Sequence, residues 1–129
     1  MGLAAATLQG APAVTQDIDL WFADLTDRRF RSALRKLGIT YVAPSEQNPP
    51  LLVGDGSELF DIVVHMHGLG TFESEALHAV PLKIGGVEVP VLSLERIIQS
   101  KRATNRPKDQ AILPVLEDAL RVLRQRRST

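Results

Sequence analysis

Three aspartates are spaced for chemistry. Asp17 and Asp19 stand two apart in DIDLWF, and Asp61 interrupts the apolar run LFDIVVH. In an extended chain alternate side chains share a face, so Asp17 and Asp19 project together while Ile18 and Leu20 turn the other way. Like charges side by side are unfavourable unless a cation or solvent screens them. An aspartate flanked by Phe60 and Ile62 is costly to bury without a partner or a metal. If the two segments are neighbouring strands, three carboxylates meet at one spot. Oxygen-only ligation of that kind suits Mg²⁺ or Mn²⁺, which keep positions open for phosphate oxygens. Any exposed strand with alternating polar residues also yields Asp-x-Asp, so for the pair alone a solvated strand is the expected reading, and Asp61 on a second strand is what strengthens the metal reading.

A lysine on an apolar face is the second feature. Leu94, Ile97 and Ile98 form the buried stripe of a helix capped by Ser93 and running to about Ala103, and the next position on that stripe is Lys101. Such a lysine either snorkels its amine to the edge or meets an anion. Arg106 and Lys108 follow within one or two turns. His65 and His67, two apart, are capable of holding a transition metal with a carboxylate, but edge residues at a strand end are the expected reading. His78 lies at no recognised spacing. Arg28, Arg29, Arg31, Arg35 and Lys36 line the polar faces of a helix. They are capable of contacting RNA phosphates, but a solvated helix face is the expected reading, and no aromatic stripe is present for base stacking.

The elements that must position these residues are legible in outline. Leu3 to Gln9 reads as a short Ala-rich helix ended by Gly10, with Pro12 beyond it. Asp17 to Phe22 reads as a half-buried strand. Thr26 caps a helix to about Leu37, with Leu25 and Phe30 as a staple, a stripe of Phe30, Ala33, Leu34 and Leu37, and Gly38 at its close. Residues 43–50 are loop, Leu51 to Val53 a brief strand, and Leu59 to His65 the strongest strand. Residues 72–79 form a helical turn, and Gly85-Gly86 between Ile84 and Val87 marks a tight hairpin. A last helix is expected from Val115 to Gln125, started late because Pro114 pushes Leu113 out of the α region. The expected class is α/β (α+β) in one domain, residues 1–129, about the size of a typical domain.

The charges balance, fifteen basic against fifteen acidic, but unevenly along the chain. Residues 93–129 hold nine Lys/Arg against four Asp/Glu, and the first 92 hold six against eleven. A basic C-terminal third beside an acidic remainder is suited to holding an anion near a carboxylate-bound metal; an ordinary solvated face is the alternative. Cysteine is absent, which excludes disulfides, thiol catalysis and zinc-finger chemistry. No apolar run reaches the ~20 residues of a membrane span. The N-terminal stretch lacks a basic region, so no signal peptide is expected and the cytoplasm is the expected location.

Gly2, a short helix and then Asp17-Ile18-Asp19-Leu20 resemble the signature of minimal nucleotidyltransferases in the polymerase-β superfamily. Phe60-Asp61-Ile62 is similar to that superfamily's third acidic strand. The stretch VPVLSLERIIQSKRATNRPKD, residues 89–109, resembles the C-terminal segment of small bacterial nucleotidyltransferases, including those of toxin–antitoxin and abortive-infection systems. The resemblance implies a polymerase-β-like fold, a small mixed sheet flanked by helices. It implies Mg²⁺ (or Mn²⁺) held by Asp17, Asp19 and Asp61, and transfer of NMP from an NTP such as ATP to a hydroxyl of RNA or protein. It further implies nucleotide contacts by Gly2, Lys101, Arg106 and Lys108, with Asp109 of the Lys-Asp pair orienting a base or substrate, and a toxin–antitoxin partner. For Asp109 the alternative is an ordinary first-turn acid favoured by the helix dipole. The family signature begins in a strand ahead of Gly2 that this sequence does not include, and Leu3 stands where many relatives carry a small or polar residue. The alternative expectation is therefore a degenerate, non-catalytic domain of that fold that binds a partner protein or a nucleotide.

Overall fold

The computed structural model describes residues 2–12, 18–54, 56–57, 60–84 and 86–128. The fold is mixed α/β. The chain packs as two compact units, Gln16–Val64 and Met1–Thr15 with His65–Thr129. Asp17 lies outside the described residues.

The unit Gln16–Val64 is built on β1 (Ile18–Trp21), α2 (Arg28–Lys36), β2 (Thr40–Val42), β3 (Leu51–Val53) and β4 (Phe60–Val63). Here α1 is the short helix Gly2–Leu8 of the other unit. Strands β1 and β4 pair in parallel, with α2, β2 and β3 as the intervening connection that a parallel pair requires. Strands β2 and β3 form a separate antiparallel ladder. Phe30, Leu34 and Ile39 make the core, with Phe22, Leu25, Tyr41, Leu52 and Ile62 packed around them. The Phe30 ring lies 4.5 Å from that of Phe22 and 5.5 Å from that of Tyr41, centroid to centroid.

Two expectations for α2 are corrected. Its cap is Asp27, whose carboxylate accepts from the Arg29 backbone N–H, while Thr26 is held back by hydrogen bonds to Asp24. Its apolar stripe is narrower than expected. Ala33 is exposed and Leu37 is 67% exposed, because the helix ends at Lys36 and Gly38, at φ 72°, reverses the chain and brings Ile39 into the core instead.

The other unit holds α1, α3 (Phe72–Ala76), the hairpin β5 (Val80–Ile84) and β6 (Val87–Val91), α4 (Leu94–Thr104) and α5 (Pro107–Ser128). Ala5, Ala6, Ala11, Leu92, Leu94, Ile97, Ile98 and Leu116 are buried together. Gln9 ties the end of α1 to the chain before α4 by donating to the Leu92 carbonyl at 2.9 Å. In the hairpin, Ile84 pairs with Val87 around the turn at Gly86 (φ 82°), and Pro81 falls opposite Pro90. Counting outward from a two-residue turn, that proline pair occupies a position whose N–H groups would point away from the partner, so neither proline breaks the ladder. Together the described strands make three two-stranded ladders, not one mixed sheet.

The last helix is also corrected. It begins at Pro107, eight residues earlier than expected, and runs through Pro114. Pro107 fits the first helical position, where its missing N–H has no partner to lose. Pro114 leaves the Gln110 carbonyl without its helical donor, but both residues are exposed, so the carbonyl is not sealed from solvent. Packing of Ile112, Leu113, Leu116, Ala119, Leu120 and Leu123 against the core holds the helix across that point. Pro114→Ala should therefore raise stability by about 1–2 kcal/mol. Most of the proline's ~3 kcal/mol interior penalty is regained, less the loss of its restraint on the unfolded chain. An unchanged midpoint in urea denaturation would mean that the helix bends freely around the proline. Among the described residues no helix is long and apolar enough to cross a membrane.

Candidate functional site

The parallel register of β1 and β4 sets Asp19 directly beside Asp61. Side chains at paired positions of neighbouring strands project from the same face, so the two carboxylates stand next to one another. Ile62 turns into the core beneath α2, so Asp61 and Asp19 project from the opposite face of the ladder. Asp61 is exposed and Asp19 half-buried. The reason is that α2 covers one face of this two-stranded ladder and leaves the Asp61 face open. The donor set is oxygen-only and open on one side, the chemistry that suits Mg²⁺ or Mn²⁺. Among the described residues no three His, Asp or Glu side chains converge to hold a metal, and the third aspartate expected at the site, Asp17, is not among them.

Of the basic residues expected to bind phosphate, Lys101 and Arg106 come together where α4 turns into α5. Asn105 ends α4 in the left-handed conformation (φ 50°), and Arg106 supplies the carbonyl that accepts the first bond of α5, from Gln110 N–H. Asp109, three residues on, reaches back to accept from the Arg106 backbone N–H at 3.1 Å, half of a capping box. The same carboxylate accepts from the Arg106 guanidinium at 2.8 and 3.2 Å, and the Lys101 amine lies 3.4 Å away. Asp109 is 1% exposed. Hydrogen bonds from Arg106 hold its pKa down at about 2, against the opposing effect of burial, with the charge of Lys101 helping. The anion that Lys101 meets is thus Asp109. Lys108 is exposed on α5, and Gly2 is the first residue of α1.

A second buried ion pair carried no sequence signal. Glu75 of α3, 4% exposed, accepts from Arg96 of α4 in a two-pronged contact at 2.8 and 2.6 Å and from the Gly70 backbone N–H at 2.9 Å. Those hydrogen bonds, Arg96 first, keep the Glu75 carboxyl below its ordinary pKa despite burial. Gln99 extends the contact by donating to the Gly68 carbonyl at 2.7 Å and accepting from Arg96 at 3.0 Å. Gly68 (φ 77°) admits no side chain, because a Cβ there would lie 2.5 Å from that of Ala103. The partners are far apart in sequence and on opposite sides of the hairpin, a spacing no local pattern encodes.

His65 and His67 are exposed and meet edge to face with ring centroids 5.4 Å apart. Several of the C-terminal basic residues pair with acids of the same segment: Arg102 with Glu117, Arg121 with Asp118 and Arg124 with Glu95. On α2 the balance is different. Arg29 pairs with Asp27, but Arg28, Arg31, Arg35 and Lys36 form no ion pair among the described residues. Comparison of the chain with protein-family models, with curated proteins and with solved structures finds no match.

Proposed function

We propose that the protein is a Mg²⁺- or Mn²⁺-dependent nucleotidyltransferase of polymerase-β-like fold, moving NMP from an NTP to a hydroxyl on RNA or protein. The observation that carries this reading is the side-by-side register of Asp19 and Asp61 on two parallel strands, with Asp17 two residues ahead of Asp19 in sequence. The three carboxylates would hold the metal. When bound, it lowers the pKa of the attacking hydroxyl and offsets the charge of the triphosphate. The half-buried Asp19 supplies a fixed anchor, and the exposed Asp61 leaves room for substrate oxygens on the solvent side.

A second reading, a non-catalytic domain that binds a partner protein or a nucleotide, is favoured by one observation. The Lys101 and Arg106 charges expected to steady a triphosphate are already spent on buried Asp109.

Calorimetric titration with Mg²⁺ and a non-hydrolysable ATP or CTP analogue separates the two. Under the first reading the wild-type protein binds nucleotide only with metal, and Asp17→Asn/Asp19→Asn and Asp61→Asn each abolish that heat while remaining folded. Metal-independent binding that survives these substitutions, or no binding by a folded wild type, sinks the enzyme reading.

A further inference from the structure

We propose that the exposed face of α2 binds the phosphate backbone of double-helical RNA. Five of the nine residues of α2 are basic and none is acidic. On a helix the surface neighbours of a residue lie three and four positions away. Those of Ser32 are therefore Arg28, Arg29, Arg35 and Lys36, a hydroxyl ringed by four cations. Phe30 and Leu34 seat the opposite side of the helix in the core, so this face is held in place and turned outward. A shallow groove of about 670 Å³ runs along it between Arg28, Arg29 and Lys36, with Ala33 and Leu37 in its floor.

The arrangement works against the helix itself. Arg28, Arg29 and Arg31 crowd the end where the macrodipole disfavours cations, and Arg31 and Arg35 repel at helical neighbour spacing. No acid within α2 compensates. Arg96, Arg102, Arg106, Arg121 and Arg124 pair with Glu75, Glu117, Asp109, Asp118 and Glu95, whereas on α2 four cations with no ion pair among the described residues are gathered on one helix. A phosphate chain supplies the missing counter-charge.

The occupant follows from what this face lacks. Its only aromatic, Phe30, is in the core, so bases of a single strand have nothing to stack on. Its large apolar residues are also in the core, save Leu37 at the end, so a bilayer surface has no apolar side to receive. The helix lies flush on its own unit, which suits a shallow groove better than the deep major groove of B-DNA. The A-form minor groove is wide and shallow, edged by phosphates and lined with 2′-hydroxyls. The cations of α2 match its edges, and the Ser32 hydroxyl matches its floor. The proposal is independent of the metal reading, since Asp19 and Asp61 project from the other side of the β1–β4 ladder.

The test is fluorescence anisotropy of the full chain with a labelled RNA duplex of roughly 20 base pairs, long enough to offer two successive minor grooves. It is repeated at several salt concentrations, beside a DNA duplex of the same sequence, the single strand and anionic vesicles. Arg28→Gln/Arg35→Gln/Lys36→Gln should weaken RNA binding by about tenfold or more and reduce the log–log salt slope by about three. Arg124→Gln/Arg126→Gln/Arg127→Gln on α5 removes the same charge elsewhere and should leave affinity within roughly threefold, since each phosphate contact is local. An equal loss in the α5 variant, no loss in a folded α2 variant, or binding of DNA, single strand or vesicles as tight as duplex RNA would each overturn the proposal.

Discussion

Asp109→Asn is expected to lower the stability of the protein by about 2–3 kcal/mol at pH 7. The carboxylate is 1% exposed and serves three functions together: it caps α5, holds the Arg106 guanidinium and neutralises Lys101. Asparagine keeps the shape but leaves two cations facing a neutral amide. The cost stays at the lower end of what breaking a buried ion pair commonly exacts, because the Arg106 side chain is 47% exposed and regains water. The pH dependence follows from the same contacts. The pKa of Asp109 is about 2 in the folded protein against 3.8 when free of its partners. A depressed carboxyl contributes stability that is fully present above about pH 4 and lost as pH falls through 2. Urea denaturation at pH 7, 4 and 2.5 should show wild type and Asp109→Asn converging as the pH drops. A constant difference across that range would show that the carboxylate acts through packing, not charge.

The second large effect belongs to Glu75. Glu75→Ala should cost about 3 kcal/mol, since it strands the Arg96 guanidinium and the Gly70 N–H that the carboxylate satisfies. Arg96 is 27% exposed along its side chain, so partial rehydration keeps the loss from growing further. The double substitution Glu75→Leu/Arg96→Met should recover most of the stability, because well-packed apolar residues often replace a buried ion pair without loss. A thermal denaturation cycle over wild type, Glu75→Leu, Arg96→Met and the double variant measures this directly. Additive losses in the double variant would mean that the pair is not coupled and that each side chain acts through separate contacts.

Local pattern was informative wherever one segment decides its own structure. Ser93 caps α4, Leu94, Ile97 and Ile98 are buried along one stripe, and the β5–β6 hairpin turns at Gly86 with Ile84 opposite Val87, because caps, periodicity and turn chemistry act over a few residues. The start of α5 escapes local pattern because Pro114 signals a break there, whereas Pro107 is an admissible first residue and tertiary packing carries the helix through Pro114.

By itself the sequence determined the residue types and their spacing: an Asp-x-Asp pair, a third aspartate in an apolar run, a lysine on a buried stripe and a helix rich in arginine. Only the tertiary structure decided what those residues face. Strand pairing is non-local, so only the register of β1 against β4 could set Asp19 beside Asp61. The chain reversal at Asn105 turned Asp109 toward Lys101 and made their contact internal. The Glu75–Arg96 contact left no trace in either segment, because side chains distant in sequence become neighbours only when the elements that carry them pack.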